Sequence, residues 1–258
     1  MDEITPAETR AYSIQTQGWY GVFRGIIGFV IRILCRFEVK GLEHIPDHGP
    51  YLLVTNHLHW LDSPTLMVAF PYRSRVFAAE KWEKHWFLGP LMRSLGAIFV
   101  RRGEVDRKAL RRALAVLEGG GVLGLAPEGT RSKTGAMQRG RSGAAYMALR
   151  SGARVLPAVV TGQERVFPAL RRLRRARVRV VFTPAFEPAP AAARDKPSPA
   201  EVRALTDEIM YRMAAMLPAE YRGVYADVAE QRPDLLALCG SEHEISRNEE
   251  PIHGTTRG

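Results

Sequence analysis

Cysteine is nearly absent: Cys35 and Cys239 are the only two in 258 residues. They lie far apart and neither has a cysteine neighbour, so no disulfide framework or zinc-ligand spacing is suggested, and reducing, intracellular conditions are expected. A long uncharged apolar run is also missing. Val22 to Cys35 is interrupted by Arg24 and Arg32, whereas a spanning helix needs about 20 mostly apolar residues. A clean single membrane span is therefore not expected. Met1 to Thr16 is polar with acidic residues and shows no cleavable leader. No repeat with a period of about 20–50 residues is visible. Nor is there a Gly-rich loop ending in Lys and Ser or Thr that would cradle nucleotide phosphates. Acidic residues are scarce: 27 Asp and Glu face 37 Lys and Arg, a net charge of +10. Such an excess draws anionic partners, whether nucleic acid, anionic lipid or a phosphorylated substrate, and charge alone does not choose among them.

What is present reads as an α/β domain. Short β-prone runs at 37–39, 51–55, 76–79, 98–100, 122–126, 155–160 and 178–182 alternate with helical patterns at 64–70, 82–95, 106–118, 142–151 and 198–217. Alternation of this kind predicts a mixed, largely parallel central sheet flanked by helices. The expected organisation is an N-terminal helical region (1–36), one catalytic-size domain (37–221) and a partly disordered C-terminal extension (222–258). In the first region Trp19, Tyr20, Phe23, Ile27, Ile31 and Leu34, with Arg24, Arg32 and Arg36, suggest an amphipathic helix lying at a membrane interface.

Polar motifs follow three of the strands, where open α/β sheets place their sites. The first is Asn56-His57-Leu58-His59-Trp60-Leu61-Asp62. Asp62 can fold back to accept the His57 ring N–H, which fixes the tautomer and leaves the other nitrogen as a base. Alone the pair is a weak signal, and reads more readily as a packed loop histidine and a helix cap at Asp62; Ser63 is another cap for that helix, with Pro64 at its first position. His59 is a rival base. His57, His59 and Asp62 are also a possible metal set, although no further His, Cys or carboxylate cluster supplies more ligands. The second motif is Gly96 to Gly103, with Arg101 and Arg102 just past a strand and suited to clamping phosphate. The third is Pro127-Glu128-Gly129-Thr130-Arg131-Ser132, where Gly129 frees the backbone, Arg131 and backbone N–H groups suit phosphate, and Glu128 either orients Arg131 or receives a substrate hydroxyl.

Taken together, these blocks resemble the glycerolipid acyltransferase family, whose best-known members are 1-acyl-glycerol-3-phosphate acyltransferases. The family's His and Asp separated by four residues match His57 and Asp62. Its Gly-strand-Arg motif matches Gly96 to Arg101, and its Glu-Gly-Thr-Arg-Ser matches Glu128 to Ser132. Its apolar strand carrying a Pro matches Val155 to Val160, with Pro157, ending at Gly162. The resemblance covers about residues 37–217. It implies that His57 is the general base on the acceptor hydroxyl and that Asp62 orients it. Arg101 and Arg131 would bind the acceptor phosphate, Glu128, Gly129 and Thr130 would shape its pocket, and Pro157 would pack beside it. The implied donor is acyl-CoA or acyl carrier protein, the acceptor a lysophospholipid, with no metal or cofactor. One segment departs from the family, which often carries Lys-Glu-Leu and then Pro; here Glu80-Lys81-Trp82 is followed by Trp86.

The densest positive cluster runs through Arg165, Arg171, Arg172, Arg174, Arg175, Arg177 and Arg179, with Phe167, Leu170 and Leu173 interleaved. It suggests an anionic membrane surface rather than nucleic acid as partner, mainly because of the motifs above, and because a strand pattern and not a recognition helix follows it. The expectation is therefore a peripheral or monotopic enzyme of lipid metabolism on the cytoplasmic side of a membrane. Two alternatives stand beside it: the same chemistry on glycerol-3-phosphate, another lysophospholipid or an amino lipid, and a non-catalytic basic binding protein.

Overall fold

A computed structural model describes residues 18–101, 106–188 and 196–239. In chain order the elements are α1 (Trp19–Leu34), β1 (Cys35–Lys40), β2 (Tyr51–Thr55), α2 (Asp62–Ala69), β3 (Arg75–Ala79), α3 (Leu88–Ser94), β4 (Ala97–Val100), α4 (Arg107–Glu118), β5 (Val122–Leu125), α5 (Gly143–Ser151), β6 (Arg154–Thr161), α6 (Val166–Leu170), β7 (Ala176–Phe182), α7 (Pro199–Met216), α8 (Val228–Gln231) and α9 (Pro233–Cys239). The seven strands form one sheet in the order β1-β7-β6-β2-β5-β3-β4. Every pairing is parallel except β6 with β7.

The central strand β2 is buried along its whole length. Its alternation splits the core into two layers. Leu52 and Val54 face α4, α5 and α7, while Tyr51 and Leu53 face α1 and α2. The core does not stop at residue 221, where the sequence reading ended the domain. Tyr225, Val228 and Leu235 are buried in the α7 layer. The remainder of the expected C-terminal extension, 240–258, lies outside the described residues, as do Arg102 and residues 1–17.

Three elements differ from the sequence reading. The helix expected over 82–95 is a 3₁₀ turn at Glu80–Trp82 followed by the shorter α3. Pro90 falls in the first turn of α3, where its missing N–H has no intrahelical partner to lose. Helix α2 begins at Asp62, so Ser63 is inside it and does not cap it. Helix α1 is apolar on both faces. Tyr20 and Ile31 are buried, while Val22, Ile26, Phe29, Val30 and Ile33 are exposed. Most of the residues expected to contact lipid therefore turn inward. Arg24 also turns inward, donating to the carbonyls of Met67 (3.1 Å) and Val68 (2.8 Å) at the end of α2.

The site is built on the carboxyl end of β2. Asn56 is fully buried. Its side-chain amide donates to the Val160 carbonyl and its oxygen accepts the Val160 N–H, both at 2.8 Å. This two-bond clasp ties the end of β2 to β6. Asn56→Ala leaves two buried backbone groups unpaired and is expected to cost about 2–4 kcal/mol. Urea unfolding of the two proteins, showing a lower midpoint at unchanged slope, checks it.

Candidate active site

His57 follows Asn56 directly and is held at both backbone ends. Its N–H donates to Glu128 Oε1 (2.9 Å), and its carbonyl accepts from the Ser132 N–H (2.8 Å). Its ring Nδ1 lies 3.0 Å from Asp62 Oδ2. Asp62 is 1% exposed, and its carboxylate is fully engaged. Oδ2 also accepts the His59 N–H at 2.8 Å, and Oδ1 accepts from Gln163 Nε2 at 2.6 Å. A carboxylate accepts here, so Nδ1 carries the proton and Nε2 is left as the acceptor nitrogen.

The rival histidine is placed differently. The carboxylate takes only the backbone of His59, and the His59 Nδ1 accepts the Leu61 N–H at 3.4 Å. Burial lowers the His59 pKa, opposed by Asp62 and Glu164 and assisted by Arg131. Among the described residues, no three His, Cys, Asp or Glu side chains are grouped as metal ligands.

The Glu128 loop wraps around His57. Glu128 is 2% exposed, and its second oxygen accepts the Gln138 N–H at 2.9 Å. Burial raises its pKa, and the N–H donors counter that rise. Both oxygens are thus occupied by the chain itself. Glu128 fastens the loop to His57 instead of facing a pocket or orienting Arg131, as the sequence reading had it. Gly129, Thr130 and Arg131 do line a cavity together with His57 and Asp62. Pro157 is buried in β6 beside Val54 and does not line it. Arg101 lines the cavity farther along, where its guanidinium pairs with Glu80 at 3.3 Å.

The cavity measures about 1810 Å³. His57, Asp62, Arg131 and Arg141 line it, as do Arg101, Asp106, Arg107 and Arg111; much of the rest is apolar, including Phe23, Val76, Ala78, Leu110 and Leu125. It runs where β3 and β5 part company. These strands pair only through Arg75 with Leu123 and Val76 with Gly124. Beyond that point the sheet opens a slot beside the site. Trp60 stands at the cavity, stacked on Phe167 with ring centroids 5.9 Å apart.

Residues 36–161 match the family model described as Acyltransferase. The chain is 27% identical over 131 residues to a 1-acyl-sn-glycerol-3-phosphate acyltransferase of Borreliella burgdorferi, covering 50% of this chain and 52% of that protein. It is 26% identical over 185 residues to the alpha form of that enzyme from Mus musculus, covering 69% and 62%. The matched region thus spans less than two thirds of these relatives. The fold is shared with the crystal structure of the 1-acyl-sn-glycerophosphate acyltransferase of Thermotoga maritima. The TM-score is 0.54 at 22% identity, covering 74% of this chain and 85% of that one.

Two polar residues of the site escaped the sequence reading. Gln163, fully buried, holds Asp62 from the turn after β6. Its only signal was Gly162 before it. At φ 85°, a Cβ there would lie 2.1 Å from the Arg177 carbonyl oxygen, so the strand has to end in that turn. Arg141 lines the cavity from the start of α5, in a polar stretch that reads as an ordinary loop.

The His59 environment predicts an imidazole that stays neutral to lower pH than an ordinary histidine. Arg131→Ala removes one cause and is expected to raise its midpoint. NMR titration of the imidazole C–H resonances in both proteins measures the shift.

Proposed function

We propose that this chain transfers a fatty acyl group from the thioester of acyl-CoA or acyl carrier protein to the free hydroxyl of 1-acyl-glycerol-3-phosphate. The observation that carries the reading is the His57–Asp62 pair, 3.0 Å apart, lining a large and mostly apolar cavity. His57 Nε2 takes the acceptor's hydroxyl proton as the oxygen attacks the thioester carbonyl. The tetrahedral intermediate collapses with cleavage of the C–S bond. The departing thiolate takes the proton from the imidazolium, and the ester oxygen stays on the lipid. Asp62 steadies the imidazolium and is itself steadied by Gln163. Arg131 faces the acceptor's phosphate, and Gly129 and Thr130 border it.

His57→Ala is expected to lower kcat by about 10²–10⁴-fold, the usual worth of a positioned base. Purified protein is given acyl-CoA or acylated carrier protein with 1-acyl-glycerol-3-phosphate, glycerol-3-phosphate, other lysophospholipids and an amino lipid. Equal product from parent and variant would sink the assigned base. No product with any acceptor from either donor would favour a non-catalytic binding protein. Product confined to another acceptor would move the reading to that lipid. Gln163→Leu is expected to lower kcat with little change in KM and to alter the pH–rate profile, because it acts through Asp62.

A peripheral place on an anionic membrane belongs to the same proposal. None of the described helices is long and apolar enough to cross a membrane. The exposed apolar face of α1 supports surface attachment, as does the turn after α6, where Leu173 is 98% exposed between Arg172 and Arg174. Arg175 donates to the Arg32 and Cys35 carbonyls and so ties that turn to the end of α1. The protein is expected to sediment with vesicles containing phosphatidylglycerol and to be partly released by salt. Absence of binding at low salt would refute the surface.

A further inference from the structure

We infer that Arg141, paired with Arg131, is the second cation that selects a phosphorylated acceptor, in the place the sequence motifs give to Arg101. The inference rests on the acyl-transfer reading above and deepens it. A phosphate monoester carries close to two negative charges near neutral pH, so its recognition calls for two cations that are not already committed.

Arg101 is committed. Its guanidinium pairs with Glu80 at 3.3 Å. Glu80 falls in the segment where this chain departs from the family pattern. Arg131 and Arg141 differ from it: among the described residues, neither forms a hydrogen bond or ion pair through its side chain. Both are cavity residues, together with His57 and Thr130.

The backbone shows how Arg141 is brought there. Its N–H donates to the Pro127 carbonyl at 2.8 Å, so the segment before α5 lies along the His57-holding loop. Its side chain crosses directly over Gly129. A Cβ at 129 would sit 2.8 Å from Arg141 Cδ and 3.0 Å from Nε. Gly129 also has φ 70°, which a larger residue adopts only with strain. The glycine of the Glu-Gly-Thr-Arg motif thus serves two ends. It makes the turn, and it leaves room for a second guanidinium above the turn that carries Arg131. Arg131 and Arg141 thus line the cavity that His57 lines, one from the turn at Gly129 and the other from the segment that crosses it.

The test titrates the full chain with 1-oleoyl-glycerol-3-phosphate, with 1-oleoyl-glycerol and with coenzyme A alone, following tryptophan fluorescence in detergent micelles. Arg141→Ala is expected to weaken binding of the phosphorylated lysolipid by about 10-fold or more and to leave the unphosphorylated one within about twofold. Arg141→Lys falls between, because it keeps the charge and loses the planar fork. An unchanged preference in Arg141→Ala, or equal loss for both lysolipids, would overturn the inference. So would a loss confined to coenzyme A, which assigns the arginine to the donor. A loss in Arg101→Ala as large as that in Arg141→Ala would return the role to Arg101. Turnover is measured separately. Selective binding without acyl transfer would sink the proposed reaction and leave the clamp standing, whereas acyl transfer with an unaltered Arg141→Ala preference would do the reverse.

Discussion

A buried carboxylate organises this molecule. Asp62 is almost wholly out of water, where an unpartnered charge is costly. Three donors meet it: a ring nitrogen, a backbone N–H and a side-chain amide. Each donor comes from a different piece of the fold. His57 belongs to the end of β2, His59 to the turn into α2, and Gln163 to the turn after β6. Satisfying one charge therefore fixes the relation of two strands and a helix. It also fixes which nitrogen of His57 is left open.

The loop around His57 follows the same logic at its backbone. Glu128 is buried with all its capacity turned to N–H groups of the chain, one of them on His57 itself. Ser132 returns a bond to the His57 carbonyl. Together with the Asn56 clasp to Val160, these bonds leave the imidazole little freedom. An imidazole held this way needs little reorganisation to meet a bound group. The acidic residue of the third motif thus serves chiefly to position the first, and the pocket is left to Gly129, Thr130 and the arginines.

Much of this was legible in the residues. Alternating short strands and helices foretold the sheet. Helix α4 was bounded by Asp106, whose carboxylate does accept from Lys108 and Ala109, and by the glycines after Glu118. His57 and Asp62 were five positions apart, close enough for local geometry to suggest their pairing. What was not legible lies between distant segments. Nothing near Glu128 shows that its partner is a backbone 71 positions away, nor near Gln163 that its partner is 101 positions away. Composition also misled where apolar residues are exposed. A helix was expected over 82–95, yet Trp86 and Phe87 stand in solvent before α3 begins. In α1 a single apolar stripe was expected, but the chain places one stripe on the core and a second outside.

The sheet itself sets the polarity of the cavity. β2, β5 and β6 remain paired almost to their carboxyl ends, and there the buried polar network can be completed. β3 leaves β5 after Val76, so its last residues turn apolar side chains toward an open slot. Among the described residues, every charged side chain that lines the cavity comes from a loop or a helix, Asp62, Arg101, Arg107 and Arg131 among them, and none from a strand. The strands supply its apolar walls, with Leu53, Val76, Ala78 and Leu125. A sheet paired along its whole length would leave no such gap, so the cavity depends on the two-residue contact between β3 and β5.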